Sequence, residues 1–217
     1  MKLALYSYWR STSSWRVRIG LHWKDLPFEY RAVNLLEGEQ YGEAHRARNP
    51  MSHVPVLEVE DGGRLVRLAQ SVSILEWLDE RFPARPLLPR DPEARARVRE
   101  VAEHVNSSIQ PYQNTAVLRW LKEKGAPSPD WLSQFVGGGL ARLEAVVRPL
   151  AGRFCVGDEV TLADLYVVPQ LYAGRRYGVD VNAFPALLRA EASCRAQDAF
   201  ERSEPARQPD APPEEKR

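Results

Sequence analysis

In the stretch FPARPLLPRDP, residues 82–92, prolines stand at positions 83, 86, 89 and 92. Proline has no backbone N–H to give, and its ring clashes with the preceding helical turn. Neither a helix nor a central strand runs through such a segment. It is a stiff connector, and a domain boundary belongs there. The two sides of it carry different hydrophobic periods.

Upstream, LALYSY (3–8) reads as a short buried strand. From about residue 12 to 24, Trp15, Val17, Ile19, Leu21 and Trp23 fit a helix covered on most sides, and FEYRAVNL (28–35) alternates as a second strand. A crossover of this kind makes the two strands parallel. A polar helical stretch from about 41 to 48 stops at Asn49 and Pro50. VPVLEVEDGGRLVRLAQS (54–71) then reads as a hairpin turning on Asp61, Gly62 and Gly63. Ser71 is placed to cap a helix carrying Ile74, Leu75, Trp77 and Leu78 to about residue 81. The order is βαβαββα, a mixed four-stranded sheet with helices on its faces, over residues 1–82, followed by the linker 83–91.

Beyond the linker, 92–217 reads as all-helical. Asp91 and Pro92 form a cap and first-turn pair, and Val98, Val101, Ala102, Val105 and Ile109 recur at three or four residues until Pro111 kinks or ends the helix. Ser128 and Pro129 repeat the cap pattern ahead of Leu132, Phe135, Leu140, Leu143 and Val147. Three glycines, 137–139, interrupt that helix at about 1 kcal/mol each, a cost that close approach of another backbone offsets. Thr161 and Asp164 stand at capping-box spacing, with Val160 set to staple against Leu165. The tail SEPARQPDAPPEEKR is proline-rich and charged, and is expected to be extended or mobile.

A net charge of +1 argues against a nucleic-acid partner. No run of 18 apolar residues and no signal-peptide pattern occurs, so a cytosolic protein without a membrane span is expected. Cys155 and Cys194 lack C-x-x-C spacing, and His22, His45, His53 and His104 lack ligand spacing, so a metal-free site is expected. Cys155, in RFCVG, reads as an inert buried thiol.

The segment SYWRSTSSWRVRIGL (7–21) sets four hydroxyls, Ser11 to Ser14, between a strand and a helix. One hydroxyl suffices to cap a helix. Four in a row, flanked by Arg10, Arg16 and Arg18, look like a surface that receives an anion or a thiolate at a helix N-terminus.

A βαβαββα domain, a proline-rich connector and an all-helical domain together resemble the cytosolic glutathione transferases, whose first domain is thioredoxin-like. VPVLE resembles their glutathione-contacting proline segment, Gln70–Ser71 their γ-glutamyl clamp, and VTLADL their capping box and staple. Within that superfamily, YSYWRSTSSWRVRIGL, NPMSHVPVLE, IQPYQN, CVGDEVTLADLYVVPQ and RQPD, in that order, resemble the zeta class, which includes maleylacetoacetate isomerases. One departure stands out. The zeta loop usually reads Ser-Ser-Cys, and here Ser11, Thr12 and Ser13 keep the leading hydroxyl but lack the thiol.

The resemblance implies glutathione as a regenerated cofactor, a homodimer, and a carboxylate-bearing cis-enedione as substrate: maleylacetoacetate, isomerised to fumarylacetoacetate in aromatic amino-acid catabolism. A thiol with an ordinary pKa of about 8.5 is mostly protonated near neutrality, and the thiolate is the nucleophile. Ser11 is the expected donor to the sulfur, with Thr12 and Ser13 assisting and Ser14 as helix cap. Val54, before a Pro55 expected to be cis, would offer its backbone to the cysteinyl part. Ser71 with Gln70 would hold the γ-glutamyl carboxylate, Gln40 the glycine end, and His53 could touch through its turn. Gln110 and Asn114 are expected to reach the ligand from the helical domain, with polar relief at a kink as the alternative. Arg10 and Arg176 are candidates for the substrate carboxylates, because planar guanidinium groups match them bidentately. Rival readings are maleylpyruvate isomerase, a transferase acting on α-halo acids, and a non-catalytic glutathione-fold module. Maleylpyruvate isomerases carry arginines after the equivalent of Asn114, where this chain has Thr115 and Ala116.

Overall fold

The structure is a computed structural model and describes residues 1–216. By its internal contacts the chain forms two compact units: Met1–Arg85 together with the residues from Gln197 onward, and Pro86–Ala196.

In the first unit, β1 (Lys2–Ser7) leads into α1 (Thr12–Trp23), β2 (Glu29–Ala32) follows, and a single 3-10 turn at Glu39–Tyr41 precedes the short α2 (Glu43–Arg46). The hairpin β3 (Val56–Asp61) and β4 (Arg64–Ala69) then hands over to α3 (Ser71–Arg81). The sheet order is β2-β1-β3-β4. β1 runs parallel to β2, with Leu5 opposite Tyr30, and antiparallel to β3, with Leu5 opposite Leu57. The right-handed crossover through α1 accounts for the parallel pair. Gly62 and Gly63 have φ of +56° and +80°, the left-handed conformations that a two-residue hairpin turn demands. The core beneath the sheet is Leu3, Leu5, Val17, Ile19, Leu21, Leu57, Ile74, Leu75 and Leu78, all buried.

The second unit is helical. α4 (Pro92–Ser108) starts as its sequence dictates: the Asp91 carboxylate accepts from the Ala94 N–H at 2.7 Å and Pro92 takes the first turn. It ends ahead of a 3-10 turn (Gln110–Gln113) that contains Pro111. α5 (Thr115–Glu123) follows, and then α6 (Ser128–Leu132) continues through a π-turn (Ser133–Gly137) into α7 (Gly138–Val147). Two expectations are corrected here. Ser128 is the first helical residue and its side chain makes no cap bond. Gly139 faces a side chain, not a backbone: a Cβ there would lie 2.8 Å from Ile109 Cγ1. The second unit closes with α8 (Leu162–Arg176) and α9 (Pro185–Arg195). At the start of α8, the buried Asp164 carboxylate accepts from the Thr161 N–H at 2.8 Å, the Thr161 hydroxyl at 3.2 Å and the Cys155 N–H at 2.8 Å.

The tail departs from its composition. α10 (Asp198–Ser203) and 3-10 turns at Pro205–Arg207 and Pro213–Glu215 give it helical structure, and it groups with the first unit, not with the helical domain 92–217. Phe200, Ser203, Pro205, Gln208 and Ala211 are the buried anchors among its exposed charges. No helix is long and apolar enough to cross a membrane among the described residues.

Candidate active site

The hydroxyl run sits where β1 turns into α1. A tight turn, Ser11 N–H to Tyr8 C=O at 3.0 Å, reverses the chain, and Ser11 becomes the N-cap of α1 with its Oγ accepting from the Ser14 N–H at 3.2 Å. The cap is therefore Ser11, and Ser14, given that role from sequence, is fully buried one turn inside the helix. Its Oγ has no hydrogen-bond partner among the described residues. A hydroxyl has two acceptor lone pairs and one proton. Ser11 spends one lone pair on the helix and keeps its proton to donate. Thr12 is buried and Ser13 half-buried. No acidic residue stands in the first turn of α1 or of α3, so neither helix offsets the partial positive charge at its start with an acid of its own.

Arg16 and Arg18 belong to the interior. Both are fully buried, which corrects the expectation that they form an anion-receiving surface. Arg16 Nη1 donates to Ser71 Oγ at 3.2 Å, tying α1 to the start of α3. Arg18 donates to Ser7 Oγ (3.2 Å), Tyr8 O (3.3 Å), Trp9 O (2.9 Å) and Ser203 O (3.1 Å). Two arginines are tolerated in this core because carbonyls and hydroxyls surround the guanidinium planes.

Ser71 is buried and is the first residue of α3, one place beyond the cap that its sequence position implied. The cap is Gln70, exposed, with φ +72° and ψ 127°. A non-glycine residue in that region is strained by roughly 1–3 kcal/mol, and such strain collects at ligand-binding positions. The Val54–Pro55 bond is cis. Val54 packs against Tyr8, Trp9 and Ala211, alongside Leu35, which brings this segment to the hydroxyl turn. Gln40 is buried, with Nε2 3.5 Å from Leu35 O and Oε1 without a hydrogen-bond partner among the described residues. The His53 side chain is exposed, while its carbonyl accepts from Asn49 Nδ2 at 3.0 Å and lies 3.0 Å from His45 Nε2. Arg10 is half-exposed, its guanidinium 5.2 Å from the Trp9 ring centre. Val54 thus lies by the hydroxyl turn through Tyr8 and Trp9, Arg16 joins Ser71 to α1, and Gln40 is linked to the same segment through Leu35.

The remaining predicted residues lie in the second unit. Gln110 opens the 3-10 turn and is half-exposed, and Asn114 caps α5 by accepting from the Ala116 N–H at 3.0 Å. The buried polar contact in that segment belongs to Gln113, whose Oε1 accepts from Gln170 Nε2 at 2.9 Å. Arg176 is exposed at the end of α8, 5.1 Å from the Tyr177 ring centre, whereas Arg175 is paired with the buried Glu191. Burial pushes both the Cys155 and the Cys194 thiol well above the ordinary range, so neither is a thiolate near neutral pH. No group of three His, Cys, Asp or Glu side chains is placed to hold a metal ion among the described residues.

A cavity of about 440 Å³ opens at the far end of α1, lined by His22, Asp25, Phe28, Tyr30 and Arg202 among others. Ten helical residues, 12–21, separate its nearest lining residue on α1, His22, from Ser11, and no hydroxyl of the 11–14 run lines it.

Sequence reasoning placed Arg18 at the surface and missed Ser203 and Asp210. Asp210 Oδ2 accepts from the Trp9 N–H at 3.0 Å and Oδ1 from the Tyr30 hydroxyl at 2.7 Å. The signal available was RQPD, a specific word in a segment otherwise resembling a disordered tail.

Residues 5–86 match the glutathione S-transferase N-terminal domain model and residues 95–193 the glutathione S-transferase C-terminal domain model. A crystal structure of maleylacetoacetate isomerase from Anaeromyxobacter dehalogenans 2CP-1, with glutathione bound in its active site, is 57% identical with a TM-score of 0.91, covering 97% of this chain and 98% of that one. A second structure of that enzyme, 56% identical with a TM-score of 0.91 and covering 98% of each chain, holds dicarboxyethyl glutathione and citrate. A zeta-class glutathione S-transferase of Euphorbia esula is 43% identical, over 97% of this chain and 93% of its own length. A maleylpyruvate isomerase of a Ralstonia species is 41% identical, over 96% and 100%.

Proposed function

The chain belongs to the glutathione S-transferase family, and from that premise we propose that it is a zeta-class, glutathione-dependent cis–trans isomerase converting maleylacetoacetate to fumarylacetoacetate. We further propose that it works as a cytoplasmic homodimer in aromatic amino-acid breakdown. The observation that carries the activity is the start of α1: a hydroxyl cap ahead of a helix whose first turn contains no acidic side chain.

The residues fit the cofactor. Gln40 Oε1, buried without a partner among the described residues, marks a polar group in need of one, and the strained Gln70 backbone stands where a γ-glutamyl group would be held. When bound, glutathione supplies a thiolate that adds reversibly across the cis double bond, leaves it single and free to rotate, and is expelled unchanged from the trans product. Ser11 donates a hydrogen bond to the sulfur anion while keeping its proton, and the first N–H groups of α1, at Thr12 and Ser13, add backbone donors and dipole, together lowering the thiol pKa. Ser71 and the start of α3 hold the γ-glutamyl carboxylate with Gln70, Val54 offers its backbone, and Gln40 takes the glycine end. His53 lies on the same turn, and Gln110 and Asn114 are assigned to the ligand from the helical unit. Arg10 and Arg176 hold the substrate's carboxylates and offset the negative charge that thiol addition places on the carbonyl oxygen.

The dicarboxyethyl glutathione held by the Anaeromyxobacter enzyme supports addition chemistry, since such a group is what thiol addition to a butenedioate leaves behind. The test is an assay of maleylacetoacetate with and without glutathione. The expected outcome is loss of the cis substrate at constant glutathione concentration; consumption of glutathione would mark a transferase instead. The Ralstonia relative favours a second reading, the same isomerisation of maleylpyruvate, and Thr115 and Ala116 weigh against it. Running both substrates side by side separates the two.

A further inference from the structure

The turn that carries Ser11 is held from behind by a segment almost the whole chain away in sequence. Within the turn, Tyr8 C=O accepts from the Ser11 N–H at 3.0 Å and from Arg18 at 3.3 Å, and Trp9 C=O accepts from Arg18 Nη2 at 2.9 Å. The Trp9 N–H, which points the other way, is taken by Asp210 Oδ2 at 3.0 Å. The second oxygen of the same carboxylate accepts from the Tyr30 hydroxyl on β2 at 2.7 Å. Both sides of the Trp9 residue are therefore gripped by ionic groups, one from α1 and one from the tail. Ala211 packs on Tyr8 and Trp9 beside Val54, so the contact is both polar and apolar. The tail is fastened in turn: Ser203 Oγ accepts from Trp15 Nε1 at 3.0 Å, and Gln208 Nε2 donates to Arg202 O at 3.2 Å and Glu204 O at 2.8 Å.

A helix cap has only two soft torsions per residue between it and the preceding strand. Charge-assisted hydrogen bonds are roughly twice as strong as neutral ones. Fixing Trp9 through such a bond fixes where Ser11 Oγ and the open N–H groups of α1 lie. A hydroxyl one ångström out of place loses much of its effect on a developing charge.

We propose that Asp210 is a positioning residue for the hydroxyl turn: by holding the Trp9 N–H and the Tyr30 hydroxyl on one carboxylate, it keeps Ser11 and the α1 N-terminus set to stabilise a bound thiolate. This rests on the assignment of Ser11 to the sulfur, and the experiment separates the two.

The variants are Asp210→Ala, the isosteric Asp210→Asn, Tyr30→Phe and Ser11→Ala, with Val98→Ala in α4 as a destabilised control remote in sequence from the turn. In the free protein, amide hydrogen exchange at Trp9 is expected to quicken at least tenfold in Asp210→Ala, with α4 protection unchanged. In the glutathione complex, thiolate absorbance against pH is expected to show the bound thiol's pKa rising by about one unit, a tenfold change. Asp210→Asn keeps an acceptor for Trp9 and is expected to show less than half of each effect, as is Tyr30→Phe. Val98→Ala is expected to lower the unfolding midpoint without moving the thiol pKa. Wild-type Trp9 exchange in both Asp210 variants would overturn the proposal, as would an equal thiol shift in Val98→Ala. A thiol shift in Ser11→Ala but none in Asp210→Ala would also overturn it while leaving Ser11's role intact. An unmoved thiol in Ser11→Ala with quickened Trp9 exchange in Asp210→Ala would overturn the sulfur assignment, and positioning for it would fall too.

Discussion

At the start of α8, Asp164 folds back onto the Thr161 N–H and also takes the Cys155 N–H, so that the helix terminus is closed by its own side chain in a buried place. At the start of α1, Ser11 caps one N–H, the first turn holds no acid, and the dipole is left facing outward from a half-exposed residue. Both helices meet the same problem of unpaired N–H groups. Where the carboxylate is built in, the terminus is structural. Where only hydroxyls are supplied, a ligand must bring the negative charge.

The contrast can be broken most forcefully at α8. Asp164→Ala removes the acceptor for two buried N–H groups, and is expected to cost about 3 kcal/mol or more of stability in urea unfolding. A loss below 1 kcal/mol would mean that the two termini do not differ in kind. Next in size, Ser11→Ala is expected to slow isomerisation at least tenfold, about 1.4 kcal/mol in the barrier, with a stability loss of about 1 kcal/mol from the missing cap. An unchanged rate alongside that stability loss would make α1 as structural as α8.

A sharper version puts an α8-like acid into α1. Ser13→Asp supplies negative charge to the first turn and is expected to firm the helix by about 0.3–1 kcal/mol while weakening glutathione binding by a similar amount and raising the bound thiol's pKa. Calorimetric titration and thiolate absorbance read these opposite signs, and a gain in affinity would sink the idea of an open dipole.

Near neutral pH the smallest effect lies at the other end of α1, and it grows only in acid. Burial, with Arg202 and Arg18 nearby and opposed by Asp198 and Asp25, lowers the His22 pKa from 6.5 to about 4. The unfolded chain then binds a proton that the folded one refuses, so stability falls as pH drops from about 6.5 to about 4. His22→Gln is expected to flatten the stability profile in that window alone, and a parallel profile would refute the burial argument.

Much of this architecture was legible in the chain. The connector prolines, the Asp61–Gly63 turn, the Asp91–Pro92 cap and the Thr161–Asp164 box are local devices, fixed by residues within a few positions of one another. The hydroxyl run was legible as a helix start, but not which hydroxyl capped it, because Ser11 and Ser14 differ only in where the turn from Tyr8 ends. Arg16 and Arg18 looked like surface charge because composition cannot show that Ser71, Tyr8, Trp9 and Ser203 converge on them.

The sequence alone determined the division at the prolines, the order of strands and helices, and the presence of a hydroxyl-rich helix start, since each depends on backbone chemistry over short spans. Only the tertiary structure decided that residues 203–211 return to the first unit and that Asp210 grips Trp9 across 201 positions. A hydrogen bond between residues so far apart leaves no periodicity and no spacing to read, and exists only once both segments have found the same surface.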